Sequence, residues 1–251
     1  FASEAGMEGG IYDRPRLLWA GDAALTVEFG DAISAELNER VLAFDDALRM
    51  AAIPGIMETV PTYRSLMVHY DPVQLPAAEL RARIERLQLD TAHRHAGTRL
   101  WHIPVAYGGP YGIDLDHIAA RHGLTAGQVV ELHSAAEYRV YMIGFAPGFT
   151  YLGGLDARLH TPRRTDPRTR TPAGSVSIGG MQAAISSVEV PSGWHLLGRT
   201  PVRTFDLQRE PPFLLSVGDA VRFEPIPHSD WAALDARAAV GEPIARCESR
   251  R

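Results

Sequence analysis

Lysine is absent: all 25 basic residues of this 251-residue chain are arginine. A Walker A lysine, a Schiff-base lysine and a biotin-carrying lysine are therefore excluded together. If such a chain takes part in ATP chemistry, it does so with arginines and backbone amides or through a partner. Cysteine is nearly absent too. The one thiol, Cys247, lies in a polar tail, which leaves no disulfide framework and no thiolate metal cluster. No uninterrupted apolar run approaches the roughly 18 residues that span a bilayer, and "FASEAGMEGG" at the start lacks the basic and apolar regions of a signal peptide. The expectation is a cytoplasmic protein without a membrane partner, with Met7 a candidate natural start. Excess positive charge is also missing: the net charge is −5 and the pI about 6.1, which gives no electrostatic case for nucleic acid as a partner. The remaining composition, 45% hydrophobic and 22% charged, is that of a packed globular protein.

The periodicity divides the chain in two. Leu17–Trp19 and Ala24–Phe29 read as strands. Ser34 then opens a helix whose Leu37, Val41, Leu42, Phe44 and Leu48 recur at helical spacing until Pro54-Gly55 breaks it. Two strands follow, with Leu66, Val68 and Tyr70 alternating, and then a helix carrying Leu80, Ile84 and Leu87 on one face. This order predicts a small α+β domain over residues 11–92, with "DTAHRHAGT" as a linker. The second part, 98–245, opens with the strand "RLWHIPVAY" and a short helical insertion at 114–134. Asp114 is a candidate cap there, Gly123 a left-handed stop, and Thr125 with Gln128 a capping box. Short alternating runs parted by turns fill 138–226, "VRTFDL" among them, and argue a β-barrel or sandwich. A closing helix begins at Ser229 or Asp230.

Several chemistries fail on their own requirements. The helix–Gly–helix of 114–134 lacks the arginines of a DNA-reading helix. His117 and His122 are spaced i,i+5, which turns their rings about 140° apart, and His93 with His95 sit in the linker, so no metal site is expected. "PAGSVSIGG" is not a nucleophile elbow, and no histidine is indicated as a partner for Ser175. Two stretches remain. "RLHTPRRTDPRTRTPAGS" places Arg158, Arg163, Arg164, Arg168 and Arg170 on a proline-stiffened path, suited either to an anionic ligand or to a solvated or intersubunit loop. "GFAPGFTYLGGL" lacks the ending of a phosphate loop. Its glycines and aromatics fit a pocket wall, with a glycine-rich barrel corner as the structural alternative.

The ordered blocks "EYRVYMIGFAPGFTYLGGLD", "TPRRTDPRTRTPAGSVSIGGMQAAISS" and "PSGWHLLGRTPV" resemble the 5-oxoprolinase B-subunit family, which also covers KipI-type kinase inhibitors and allophanate hydrolase subunit 1. The resemblance runs from about Leu17 to Ile226. It implies an α+β N-terminal domain followed by a mainly-β cyclophilin-like barrel domain. It also implies one component, inactive alone, of an ATP-dependent enzyme that opens 5-oxo-L-proline to L-glutamate together with a KipA-type C subunit and an A subunit. ATP with Mg would be shared with or bound by a partner, and no covalently bound cofactor is implied. On that resemblance Arg163, Arg168 and Arg199 are candidate catalytic cations. Gly144, Phe145, Pro147, Phe149, Tyr151, Pro172, Gly174, Ser175 and Gln182 are candidate substrate contacts, and the amides of Gly174-Ser175 and Gly179-Gly180 candidate oxyanion donors. The chain departs from the family pattern after Gln182, where Ala183, Ala184, Ser186 and Ser187 replace Thr, Gly, Tyr and Pro. The other roles left open are membership of an allophanate- or urea-related amidohydrolase or carboxyltransferase, and inhibition of a sensor histidine kinase.

Overall fold

The computed structural model describes residues 10–87 and 99–250. Met7, the expected linker, His93 and His95 lie outside them. Contacts divide the chain into two units, residues 1–96 and 97–251.

In the first unit, β1 (Ile11–Trp19), β2 (Ala24–Gly30), β3 (Ile56–Pro61) and β4 (Ser65–Tyr70) form an antiparallel sheet in the order β1-β2-β4-β3. Alternation places Leu25, Val27 and Phe29 of β2 and Leu66, Val68 and Tyr70 of β4 on one face. There they pack against Leu37, Val41, Phe44 and Leu48 of α1 (Ala35–Ala51) and Leu80 and Ile84 of α2 (Ala77–Arg86). Ser34 caps α1 as expected, its hydroxyl accepting from the Leu37 amide.

The second unit is a closed seven-stranded barrel. Its strands are β5 (Arg99–Tyr107), β6 (Tyr138–Ile143), β7 (Thr150–Gly153), β9 (Ser175–Gly179), β10 (Gln182–Ile185), β12 (His195–Arg199) and β13 (Ala220–Pro225), in the order β12-β9-β10-β7-β6-β13-β5. Pairing of Gly198 with Tyr107 and Arg199 with Ala106 joins β12 back to β5. Ile103, Val140, Leu152, Val176, Ile178, Leu197, Val221 and Phe223 are buried inside it. Outside the ring, β8 (Arg168–Thr171) pairs with β11 (Val190–Ser192), and β14 (Arg246–Ser249) adds to the first half of β5. The pair β8–β11 gives the arginine segment a regular end that proline content had hidden.

Helices α3 (Leu115–His122) and α4 (Ala126–Ala135) are inserted between β5 and β6. Gly123 ends α3 in the left-handed conformation, φ 65°, and Thr125 with Gln128 forms the capping box. Asp114 stands at the N-cap of α3, its carbonyl accepting from the Ile118 amide at 2.9 Å, but its carboxylate makes no bond to the helix, forgoing about 0.5–2 kcal/mol that such a side-chain cap supplies. A final helix, α5 (Trp231–Ala239), follows a 3₁₀ turn, and Asp230 at its start makes no side-chain cap either. "VRTFDL" is not a strand. Arg209 donates to the carbonyls of Arg203, Thr204 and Pro212, and this fixes the segment as a loop with a single bridge from Phe205 to Phe213.

His133 of α4 is completely buried over the barrel, stacked on Phe223 with centroids 4.8 Å apart. Burial keeps the Tyr107 phenol protonated, its hydroxyl shares a hydrogen bond of 2.8 Å with His133 Nδ1, and Nε2 has no partner among the described residues. Burial also lowers the His133 pKa from 6.5 to about 3. Since only the unfolded chain takes up this proton between those values, His133 removes stability as pH falls from 6.5 towards 3, by about 1.4 kcal/mol per pH unit. Urea midpoints at pH 7 and pH 4.5 will lie closer together in His133→Gln than in the wild type. An equal spacing would show that the buried ring does not resist protonation.

Candidate functional site

The stretch from Gly144 to Phe149 joins β6 to β7 as a tightly bonded loop. The Gly144 amide donates to the Phe149 carbonyl and the Phe149 amide to the Ala146 carbonyl, both at 3.0 Å. Gly148 has φ +70°, a Cβ there would lie 2.6 Å from that of Phe205, and its carbonyl accepts from Thr150. The Ser187 hydroxyl bonds the Pro147 carbonyl. These fasteners hold Phe145 at the tip in a left-handed conformation, φ 71°, that a non-glycine residue rarely adopts, with the residue 67% exposed.

From that tip an aromatic ladder descends. Phe145 meets Phe149 edge-on at 5.6 Å, Phe149 meets Tyr151 at 4.8 Å, and Tyr151 meets Trp194 at 6.0 Å. Such tilted and edge contacts are the favoured aromatic geometries. Phe149, Ala184, Val190 and Trp194 close the ladder from below as a small core of their own. The arginine segment passes opposite, and the two enclose a hollow of 260 Å³ walled by Phe145, Phe149, Tyr151, Trp194, Arg163 and Arg164. The Arg163 guanidinium lies over the Trp194 ring, 5.4 Å from its centroid. Among the described residues no carboxylate is paired with Arg163. Indole and guanidinium planes so arranged offer a flat apolar surface with an adjacent fork of donors, the chemistry that receives a small planar molecule carrying a carboxylate. Burial raises the pKa of Tyr151, which keeps its hydroxyl protonated beside them.

The other expected residues are placed differently. Arg168 is turned away from the hollow, donating to Asp114 at 2.6 Å and to the Trp194 carbonyl at 3.4 Å. Arg199 lies over Trp231 at 5.2 Å and donates to the Ala173 carbonyl at 2.8 Å; it does not line the hollow. Pro147 and Gly144 line a second hollow of 350 Å³ with Ile143 and Phe213, and Phe145 is a wall of both. Pro172 is exposed, and Gln182 opens β10 opposite Gly179. Ser175 is buried, its hydroxyl donating to the Pro172 carbonyl at 2.7 Å. Three of the four expected oxyanion donors are engaged inside the fold: the Gly174 amide bonds the Ser186 carbonyl at 2.6 Å, the Ser175 amide bonds that of Pro172 at 3.3 Å, and the Gly180 amide bonds that of Thr161 at 2.7 Å. Arg164 and Trp194 are wall residues outside the set of expected contacts. The arginine stood within the basic cluster. The tryptophan stood in a quoted block, "PSGW", where a large aromatic directly after a glycine turn was the available signal.

Residues 15–215 match the model of the carboxyltransferase domain, subdomain C and D. The 5-oxoprolinase B subunit of Bacillus subtilis is 37% identical over 85% of this chain and 93% of its own length. That of Haemophilus influenzae is 42% identical over 80% and 93%. The chain belongs to the 5-oxoprolinase B-subunit family. The crystal structure of TTHA0988 is 39% identical with a TM-score of 0.73 over 81% of this chain, which spans only 40% of that longer one. The Kluyveromyces lactis urea amidolyase, at 21% identity, shares the fold with a TM-score of 0.81 over 94% of this chain and 16% of its own. In this chain the ordered blocks read from sequence wall the aromatic hollow, and the relatives are B subunits of an enzyme complex, 5-oxoprolinase.

Replacing Gly148 by alanine combines a strained φ with a clash against Phe205. Thermal denaturation of Gly148→Ala will show a loss of about 1–3 kcal/mol. An unchanged melting temperature would mean that the loop is free to reshape.

Proposed function

We propose that this chain is the B component of an ATP-dependent 5-oxoprolinase complex, where it holds the lactam while 5-oxo-L-proline is opened to L-glutamate with the A and C components. The observation that carries the reading is the Arg163 guanidinium held over the Trp194 ring in the wall of the aromatic hollow. A five-membered lactam is flat enough to lie against the Trp194 and Tyr151 rings, and its carboxylate then meets the Arg163 fork. An unstrained amide is a poor electrophile. Phosphorylating its oxygen at the expense of ATP activates the carbon. One water adds there as the C–N bond breaks, a second displaces phosphate, and the products are glutamate, ADP and phosphate. Two features support binding of ATP by a partner chain: this chain has no lysine, and Gly174 and Gly180, expected as donors, have their amides committed to the fold.

The barrel's cyclophilin-like character, expected from the resemblance, belongs to the same proposal. A urea-related amide as substrate is the second reading. It is favoured by relatives such as the urea amidolyase of Saccharomyces cerevisiae, 24% identical over 84% of this chain and 13% of its own length.

In the complex assembled with the A and C components, Arg163→Ala will raise the KM for 5-oxo-L-proline about 10- to 100-fold, the worth of a charged hydrogen bond. Arg158→Ala removes the same charge from an exposed arginine paired with Asp156 and serves as control. Equal kinetics for the two variants would sink the assignment, and ATP-dependent turnover of urea or allophanate in place of the lactam would move it to the second reading.

A further inference from the structure

Asp114 is 5% exposed and lies outside the walls of the hollow, yet three groups of the hollow's surroundings converge on its carboxylate. Arg168 donates to Oδ1 at 2.6 Å, Arg164 approaches the same oxygen at 3.5 Å, and the Leu196 amide donates to Oδ2 at 2.8 Å. Burial would raise the Asp114 pKa, but the Arg168 and Leu196 hydrogen bonds and the two guanidinium charges outweigh it and hold the group ionised. Each partner leads to the hollow. Arg164 is a wall residue whose amide is bound to the Gly193 carbonyl at 2.7 Å. Arg168 reaches on to the Trp194 carbonyl, and Leu196 follows Trp194 by two residues. A second fastener lies alongside: His195 Nε2 donates to the Pro162 carbonyl at 2.9 Å, and its ring stacks on His117 at 5.7 Å, so the segment is held just before Arg163 as well. The cap left unmade on α3 is the local counterpart of this arrangement. The carboxylate that belongs by position to the helix serves the arginine segment.

We propose that Asp114 is a positioning residue: it holds Arg164 at the wall and, through Arg168 and Leu196, the turn that carries Trp194, so that the hollow's grip on a carboxylate ligand depends on a side chain that does not touch the ligand. The proposal rests on the reading that the hollow receives a carboxylate. Its electrostatic sign makes it testable. Removing a negative charge 3.5 Å from Arg164 leaves the site more positive, and Coulomb attraction alone would then tighten anion binding. Positioning predicts the opposite.

The test uses the full chain and Asp114→Asn, whose amide oxygen still accepts from Leu196 but no longer pairs with two guanidinium groups. Two quantities are measured: the dissociation constant for 5-oxo-L-proline by calorimetry, and the exchange of the Arg164 and Arg168 guanidinium N–H protons by NMR. Expected are at least tenfold weaker binding and faster guanidinium exchange, with a folded far-ultraviolet spectrum. Asp114→Glu, which restores the charge, will recover part of the affinity. Tighter or equal binding in Asp114→Asn, or unchanged guanidinium exchange, would overturn the proposal. If the wild type binds no 5-oxo-L-proline, the substrate reading fails, and the Trp194 indole N–H resonance decides the positioning: a shift or broadening in Asp114→Asn upholds it and an unchanged resonance overturns it. Should Asp114→Asn not fold, Asp114→Ser replaces it, since it also removes the negative charge and keeps an acceptor at the helix N-cap; the same weakening and faster exchange are expected, and equal or tighter binding would overturn the proposal.

Discussion

The pairing of β5 on both of its edges is the constraint on which the second unit depends. One edge takes β13 in parallel, and the other takes β14 along its first half and β12 at its end. An open sheet of this length would present unpaired backbone and an uncovered apolar face. Closure removes both, and it sets the strand order in which the β6–β7 loop and the turn before β12 become neighbours. Asp219 secures the start of β5: it accepts from Arg99 at 2.7 Å, from the Trp101 indole at 3.1 Å and from the Ser216 amide at 2.8 Å. The aromatic hollow is thus mounted on a part of the molecule that cannot slide by a register step without opening the barrel.

Much of this architecture was legible in the sequence. The helix over "SAELNERVLAFDDALRM", the stop at Gly123 and the Thr125 capping box follow from side chains acting within a few residues, and local chemistry decides them. The failures share a cause. "VRTFDL" alternates like a strand, but Arg209 binds its carbonyls from within the loop. Asp114 looks like a cap, but its partners Arg168 and Leu196 are 54 and 82 residues away. Where a long-range partner competes for a polar group, spacing along the chain carries no trace of it.

The candidate site divides the same way. Phe145, Phe149, Tyr151 and Arg163 were legible because their residue types already state the chemistry: apolar faces beside a fork of donors. Arg168 and Arg199 carry the same type, and only the fold separates them, one behind the wall on Asp114 and the other over Trp231. The departures after Gln182 acquire meaning here. Ala184 is wholly buried against the aromatic ladder, and Ser187 bonds the Pro147 carbonyl, so these substitutions bear on the support of the wall.

Phe145 stands in both hollows at once, with the smaller one of 260 Å³ on the arginine side and the larger one of 350 Å³ on the Phe213 side. One χ1 turn of that ring reshapes the wall of both hollows together, so neither can change its lining at this edge without the other.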